Sequence, residues 1–179
     1  MVVKKDYIAH HKSLIWGDII HQIYVFDLDD TLATPDKEAD RKSYFMEIDH
    51  LEPVPTMIQF FNETKSRHPT MILTTRHPDL KPKIEDMFEC TVECRNFCLT
   101  WKEILEALST DDNLNDFMTQ MINWKTGVLN QLSEQYRKVI FFDDLVHRYD
   151  VSSLKDNIDL KKPLHLSDGE HPGFLYQQK

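Results

Sequence analysis

No apolar run in the sequence approaches the roughly 20 residues that a membrane-spanning helix needs. The charged start, MVVKKDYIAHHK, has no apolar h-region of a secretory signal behind it, so a soluble, unprocessed chain is expected. A basic surplus is missing as well: 21 Lys and Arg stand against 30 Asp and Glu, a formal net charge of −9. That argues against a large sequence-independent grip on nucleic acid, which takes clustered cations to neutralise phosphates. It leaves open action on one exposed nucleic-acid end. Cysteine is scarce, and Cys90, Cys94 and Cys98 are spaced by four without the CxxC pairs or companion histidines of a zinc site. Reduced thiols in a cytoplasmic or otherwise reducing compartment are expected, although secretion without a cleaved signal would leave no trace in such a pattern. No repeat or low-complexity segment appears. The 179 residues suit a single domain, 1–179, able to bury roughly two-thirds of its unfolded surface without disulfides.

What the chain does contain is an alternation of strand and helix patterns. A first strand is expected from Gln22 to Leu28, and an apolar stripe of Met57, Ile58, Phe60, Phe61 and Thr64 predicts a helix entered through prolines and ended near SRHP. TMILTT reads as a second buried strand. DLKPKIEDMFE reads as a short helix beginning near Pro78 and Asp79, with Leu80, Ile84, Met87 and Phe88 inward. TVECRNFCL is the third strand; TWKEILEALS and NLNDFMTQMINWKTGVLNQLSEQY are helical, the second breaking near Asn123. KVIFFDD is the fourth strand, and PLHLS is expected to add a last one. Strands alternating with helices predict an α/β fold: a doubly wound, mainly parallel sheet with helices on both faces. Functional residues in such sheets gather at the carboxyl ends of neighbouring strands.

Those ends carry an anomaly. In YVFDLDDTLA, Tyr24, Val25, Phe26 and Leu28 favour burial, whereas Asp27, Asp29 and Asp30 resist it unless something positive accompanies them. Asp27 and Asp29 would project to one side of a regular strand, and adjacent carboxylates repel unless one takes a proton or a cation sits between them. The second acidic strand end, Asp143 and Asp144, favours the cation. An oxygen-rich set without thiols suits Mg²⁺.

DLDDT, followed by ILTTR, by the lysine of NWKTGVL and by FFDD, resembles the ordered motifs of the haloacid dehalogenase-like hydrolase superfamily across residues 22–146. Within it, the WK on a helix before an apolar strand ending in DD is similar to the phosphatase domain of polynucleotide kinase-phosphatases, with Leu145 where those proteins commonly carry arginine. The resemblance implies a Rossmann-like sheet and Mg²⁺-dependent hydrolysis of phosphomonoesters. It makes Asp27 the nucleophile that forms an aspartyl-phosphate, and Asp29 the acid that protonates the leaving oxygen and then activates water. Thr74 and Lys125 would bind the phosphoryl group, Lys125 being preferred over Lys102. The implied metal set is Asp27, Asp29 through its backbone carbonyl, and Asp144, with Asp143 in an outer position or orienting Lys125. Arg76 either touches substrate or pairs with a surface acid. Thr31 would satisfy backbone groups in its turn, and His77 and His147 read as loop histidines.

Superfamily members select substrates largely through cap insertions. Here Leu32 to Pro53 is too short for a helical-bundle cap, and residues 99–122 allow only a small helical excursion. An open site without a large cap is therefore expected, one that a phosphorylated macromolecule could reach: a nucleic-acid end or nucleotide, or alternatively a phosphotyrosine or phosphoserine protein. A noncatalytic metal-binding or interaction module on the same fold is the reading from another class.

Overall fold

The computed structural model describes residues 22–35, 48–95 and 111–164. Within them are strands β1 (Gln22–Phe26), β2 (Ala33–Pro35), β3 (Leu51–Pro53), β4 (Thr70–Thr74), β5 (Thr91–Cys94), β6 (Lys138–Phe142) and β7 (Ile158–Lys161). The helices are α1 (Pro55–Lys65), α2 (Lys81–Phe88) and α3 (Asp111–Gln135). β5, β4, β1, β6 and β7 lie in that order in one parallel sheet, while β2 and β3 form a separate antiparallel pair.

Alternation along the strands builds two cores. Phe26, Ile72, Val92 and Phe142 face one way and are covered by Met57 and Phe61 of α1 and by Ile84 and Phe88 of α2. Ile23, Val25, Met71, Leu73, Val139 and Phe141 face the other way, against Ile122 and Leu129 of α3. With described helices on both faces, the central strands β4, β1 and β6 are largely buried, which is what their near-continuous apolar sequences require. Aromatic packing links the two central strands on the first face: Phe26 stacks on Phe142 with ring centroids 5.0 Å apart, and Phe61 meets Phe26 edge-on at 5.3 Å.

Several elements differ from the sequence expectation. β1 ends at Phe26 rather than Leu28, because the backbone turns at once: the N–H groups of Leu32 and Ala33 both donate to Leu28 O, and Asp30 adopts a left-handed φ of 55°. The short α2 is preceded by a 3₁₀ turn at Pro78–Leu80, and Met87 is exposed because only Ile84 and Phe88, one turn apart, reach the sheet. α3 runs unbroken through Asn123, whose exposed polar side chain costs a helix little. The last sheet strand is β7, which the sequence reading missed; Pro163 and Leu164 of PLHLS are not in a strand, and His165 to Ser167 lie outside the described residues. The third strand stops at Cys94. Residues 36–47, where a first cap would be inserted, and 96–110, with TWKEILEALS, Cys98 and Lys102, also lie outside the described residues.

No described helix is long and apolar enough to cross a membrane. Cys90 and Cys94 are free thiols, each pushed up to about 11 by burial and so poorly reactive at neutral pH.

Candidate functional site

The sheet order places the site. From β1 the chain moves outward to β4 and β5, then crosses back to β6 on the other side of β1, so the connections after β1 and β6 diverge at their carboxyl ends, the place where parallel sheets of this kind bind ligands. Phe26 is paired with Phe142, and Asp27 N–H donates to Phe142 O at 2.8 Å, so the residues that follow, Asp27 and Asp143, leave the sheet side by side.

Lys125 arrives from the opposite side of this pairing. It lies on the buried stripe of α3 between Ile122 and Leu129, a position where an ammonium is tolerable only if anions meet it. They do: Lys125 Nζ donates to Asp143 Oδ2 at 2.8 Å and stands 2.9 Å from Asp27 Oδ1. The first contact is an aligned hydrogen bond. The second is charge proximity without hydrogen-bond alignment, which leaves Asp27 Oδ1 a buried oxygen lacking a hydrogen-bond donor. Burial works against the Lys125 charge, yet Asp143 and Asp27 outweigh it and hold the ammonium above its usual pKa.

Asp143 is further held by Leu145 N–H on Oδ1 at 2.7 Å and by the Tyr149 hydroxyl on Oδ2 at 2.9 Å. A carboxylate has about four acceptor sites. Three are used here, which suits Asp143 to orienting Lys125 and leaves at most one site for an ion. Asp144, also buried, is the freer carboxylate of the pair. Together Asp27, Asp143 and Asp144 offer three oxygens within 4.8 Å of one another, and these could hold a metal ion. Hard oxygen donors fit a hard cation better than a thiol-seeking metal, and Asp27 Oδ1, although 2.9 Å from the Lys125 ammonium, has no aligned hydrogen bond.

Asp29 is placed differently. Its carboxylate is not in that triad; it receives Arg76, whose Nη2 lies 2.6 Å and Nε 3.0 Å from Oδ1. Arg76 is buried and pairs with Asp29, a half-buried acid at the site and not a surface one. Thr74 is fully buried at the end of β4, and its hydroxyl accepts the Arg76 backbone N–H at 3.3 Å. The Thr31 hydroxyl is buried with no hydrogen-bond partner, contrary to its expected role in the turn. His77 Nδ1 accepts the Asp79 N–H in a local turn, and His147 is exposed. Lys102 lies outside the described residues. Tyr149 and the Asp29–Arg76 pair escaped the sequence reading; nothing in the composition around HRYD marks a buried tyrosine. The carboxylates at the ends of apolar strands were the local signal that a positive partner stands elsewhere in the chain.

Comparison of the chain with protein-family models, curated proteins and solved structures gives no match.

Electrostatically, burial favours the protonated forms of Asp27, Asp144 and Asp30. Burial, opposed by Lys125 and assisted by Asp143 and Asp29, pushes Asp27 up to about 8. Burial, with Asp143, Asp27 and Asp30, pushes Asp144 up to about 10, and Asp30 is raised to about 7 by burial and Asp29. Raised carboxyl groups bind protons in the folded chain that the unfolded chain has already lost near pH 4. Their contribution to stability is fully present below that value and is lost as pH rises through 7 to 10. Each retained proton costs about 1.4 kcal/mol per pH unit. The melting temperature in chelator should therefore fall from pH 6 to pH 8. Mg²⁺ should raise it more at pH 8, because the cation then displaces fewer protons. Thermal melts at both pH values check this; identical Tm values with and without saturating Mg²⁺ at pH 8 would reject a preformed metal site.

Proposed function

We propose that the chain is a phosphomonoester hydrolase of the haloacid dehalogenase-like type. The observation that supports this most is the convergence, at three adjacent parallel strand ends, of a buried Asp27, a buried lysine paired to it, a second acidic pair and a buried threonine. In this reading an Asp27 oxygen attacks phosphorus, an aspartyl-phosphate forms, and the bond to the leaving oxygen breaks as that oxygen takes a proton. That proton is assigned to Asp29 by the resemblance alone: it is the more open carboxylate, its side chain 17% exposed against 6% for Asp27, but in this structure it is held by Arg76, which must release it for the step. Water then attacks the same phosphorus, Asp29 takes its proton, and inorganic phosphate leaves Asp27. Lys125 and Thr74 oppose charge building on the phosphoryl oxygens. Asp27 and Asp144, with the Asp29 carbonyl, would hold Mg²⁺, whose positive charge would act on the same oxygens when bound.

The proposed substrates are nucleic-acid ends or nucleotides, by the likeness of the WK and DD stretches. The net charge of −9 favours a phosphoprotein as the second reading. Phosphate release from a 3′-phosphorylated oligonucleotide, a nucleoside monophosphate, a phosphotyrosine peptide and a phosphoserine peptide, each with Mg²⁺ and with chelator, separates these. A higher kcat/KM for the oligonucleotide than for the nucleotide is expected, since an open site draws binding energy from remote contacts. Peptide preference would move the assignment to protein dephosphorylation. No release from any member, nor from para-nitrophenyl phosphate, would leave the noncatalytic module.

A further inference from the structure

We propose that Tyr149 is a positioning residue of this site: through its hydroxyl it fixes Asp143, and through Asp143 it sets where the Lys125 ammonium stands relative to Asp27. The inference rests on the phosphoryl-transfer reading and deepens it.

The chain delivers Tyr149 by a short route. After β6 a 3₁₀ turn at Val146–Arg148 brings it back beneath the strand end, where it is 5% exposed and packs edge-on against Phe141, centroids 5.9 Å apart. The ring is thus held by the same strand that carries Asp143. Its hydroxyl donates to Asp143 Oδ2, the oxygen that also accepts Lys125, while Oδ1 is taken by Leu145 N–H. Lys125 Nζ also stands 5.6 Å from the centre of the Phe141 ring, so Phe141 borders both the lysine and the tyrosine.

The consequence for Lys125 follows from sharing. The ammonium stands 2.8 Å from Asp143 in an aligned hydrogen bond and 2.9 Å from Asp27 as a charge contact, so how firmly Asp143 holds it sets its place beside Asp27. A hydroxyl donor on Asp143 Oδ2 satisfies part of that oxygen's charge and weakens its hold on the lysine. Removing the donor leaves Oδ2 with Lys125 alone, so the ammonium is drawn towards Asp143 and away from Asp27, where the phosphoryl group must be met. Positioning errors of this kind act on the transition state more than on substrate binding.

The test uses para-nitrophenyl phosphate with Mg²⁺ at a temperature well below the Tm of each protein. Tyr149→Phe should lower kcat at least fivefold with KM changed less than twofold. Loss below fivefold in the folded variant would overturn the proposal. The wild type supplies a readout that needs neither a variant nor activity. A buried hydroxyl donating to a carboxylate should give a slowly exchanging, downfield Tyr149 proton resonance, and rapid exchange of that proton would overturn the proposal even if Tyr149→Phe failed to fold. Should the wild type release no phosphate while the slow hydroxyl resonance is present, the hydrolase reading fails. The Tyr149–Asp143 bond then stands as found, but the role in positioning for catalysis is overturned with the reading it serves.

Discussion

Asp27→Asn should abolish phosphate release from para-nitrophenyl phosphate, by about a thousandfold or more in kcat, while the chain stays folded. The amide is nearly the same size as the carboxylate, so the packing around a residue 5% exposed is kept, but a neutral amide oxygen is a poor nucleophile and a weak ligand for a hard cation. Lys125 retains Asp143, so the buried ammonium is not orphaned. Because burial already disfavours charge on Asp27 without metal, its neutral replacement should leave the metal-free Tm at pH 8 equal to or above that of the wild type. The stabilisation by Mg²⁺ should shrink. Activity and stability are thus expected to move in opposite directions, which no simple unfolding effect produces. Full turnover of Asp27→Asn with Mg²⁺ would remove Asp27 from the role of nucleophile.

Lys125→Met should have the largest effect on stability. Methionine fills the space of the alkyl stem but leaves Asp27 and Asp143 facing one another, buried, with no ammonium between them. Breaking a buried ion pair from one side costs about 3–5 kcal/mol, equivalent in a chain of this size to a Tm drop of roughly 10 °C. The sign with pH is fixed by the carboxylates: at pH 6 Asp27 is protonated more readily, and the cost should be smaller than at pH 8. Mg²⁺ should restore more stability to this variant than to the wild type, because a divalent cation supplies the missing charge. It should not restore turnover, which is expected to fall about a hundredfold or more through loss of charge against the phosphoryl oxygens. A variant that melts within 2 °C of the wild type (a shift of about 1 kcal/mol or less) in chelator at pH 8 would show that the lysine is not needed to balance the cluster.

The sequence by itself determined the class of fold and the identity of the anomalous residues. Near-continuous apolar runs such as QIYVF and KVIFF, and stripes such as Met57, Phe61 and Thr64, are local patterns, and burial in a sheet covered on both faces or on one helix face reads them directly. Acids at the ends of two such strands were visible for the same reason. The tertiary structure decided which strands are neighbours, and with that everything depending on distance across the chain. β1 lies between β4 and β6, so Asp27 and Asp143 emerge together; a lysine 18 residues before Asp143 enters between them. Asp29 turns to Arg76, 47 residues away, and not to Asp27, because β1 stops at Phe26 and the tight turn at Asp30 ends the alternation that would have kept both carboxylates on one side. β7 and the buried Tyr149 belong to the same category. The partner of β7 is chosen by parallel pairing across the chain, and Tyr149 reaches Asp143, only six residues away, through the return of a 3₁₀ turn; neither contact leaves a period in the residues themselves.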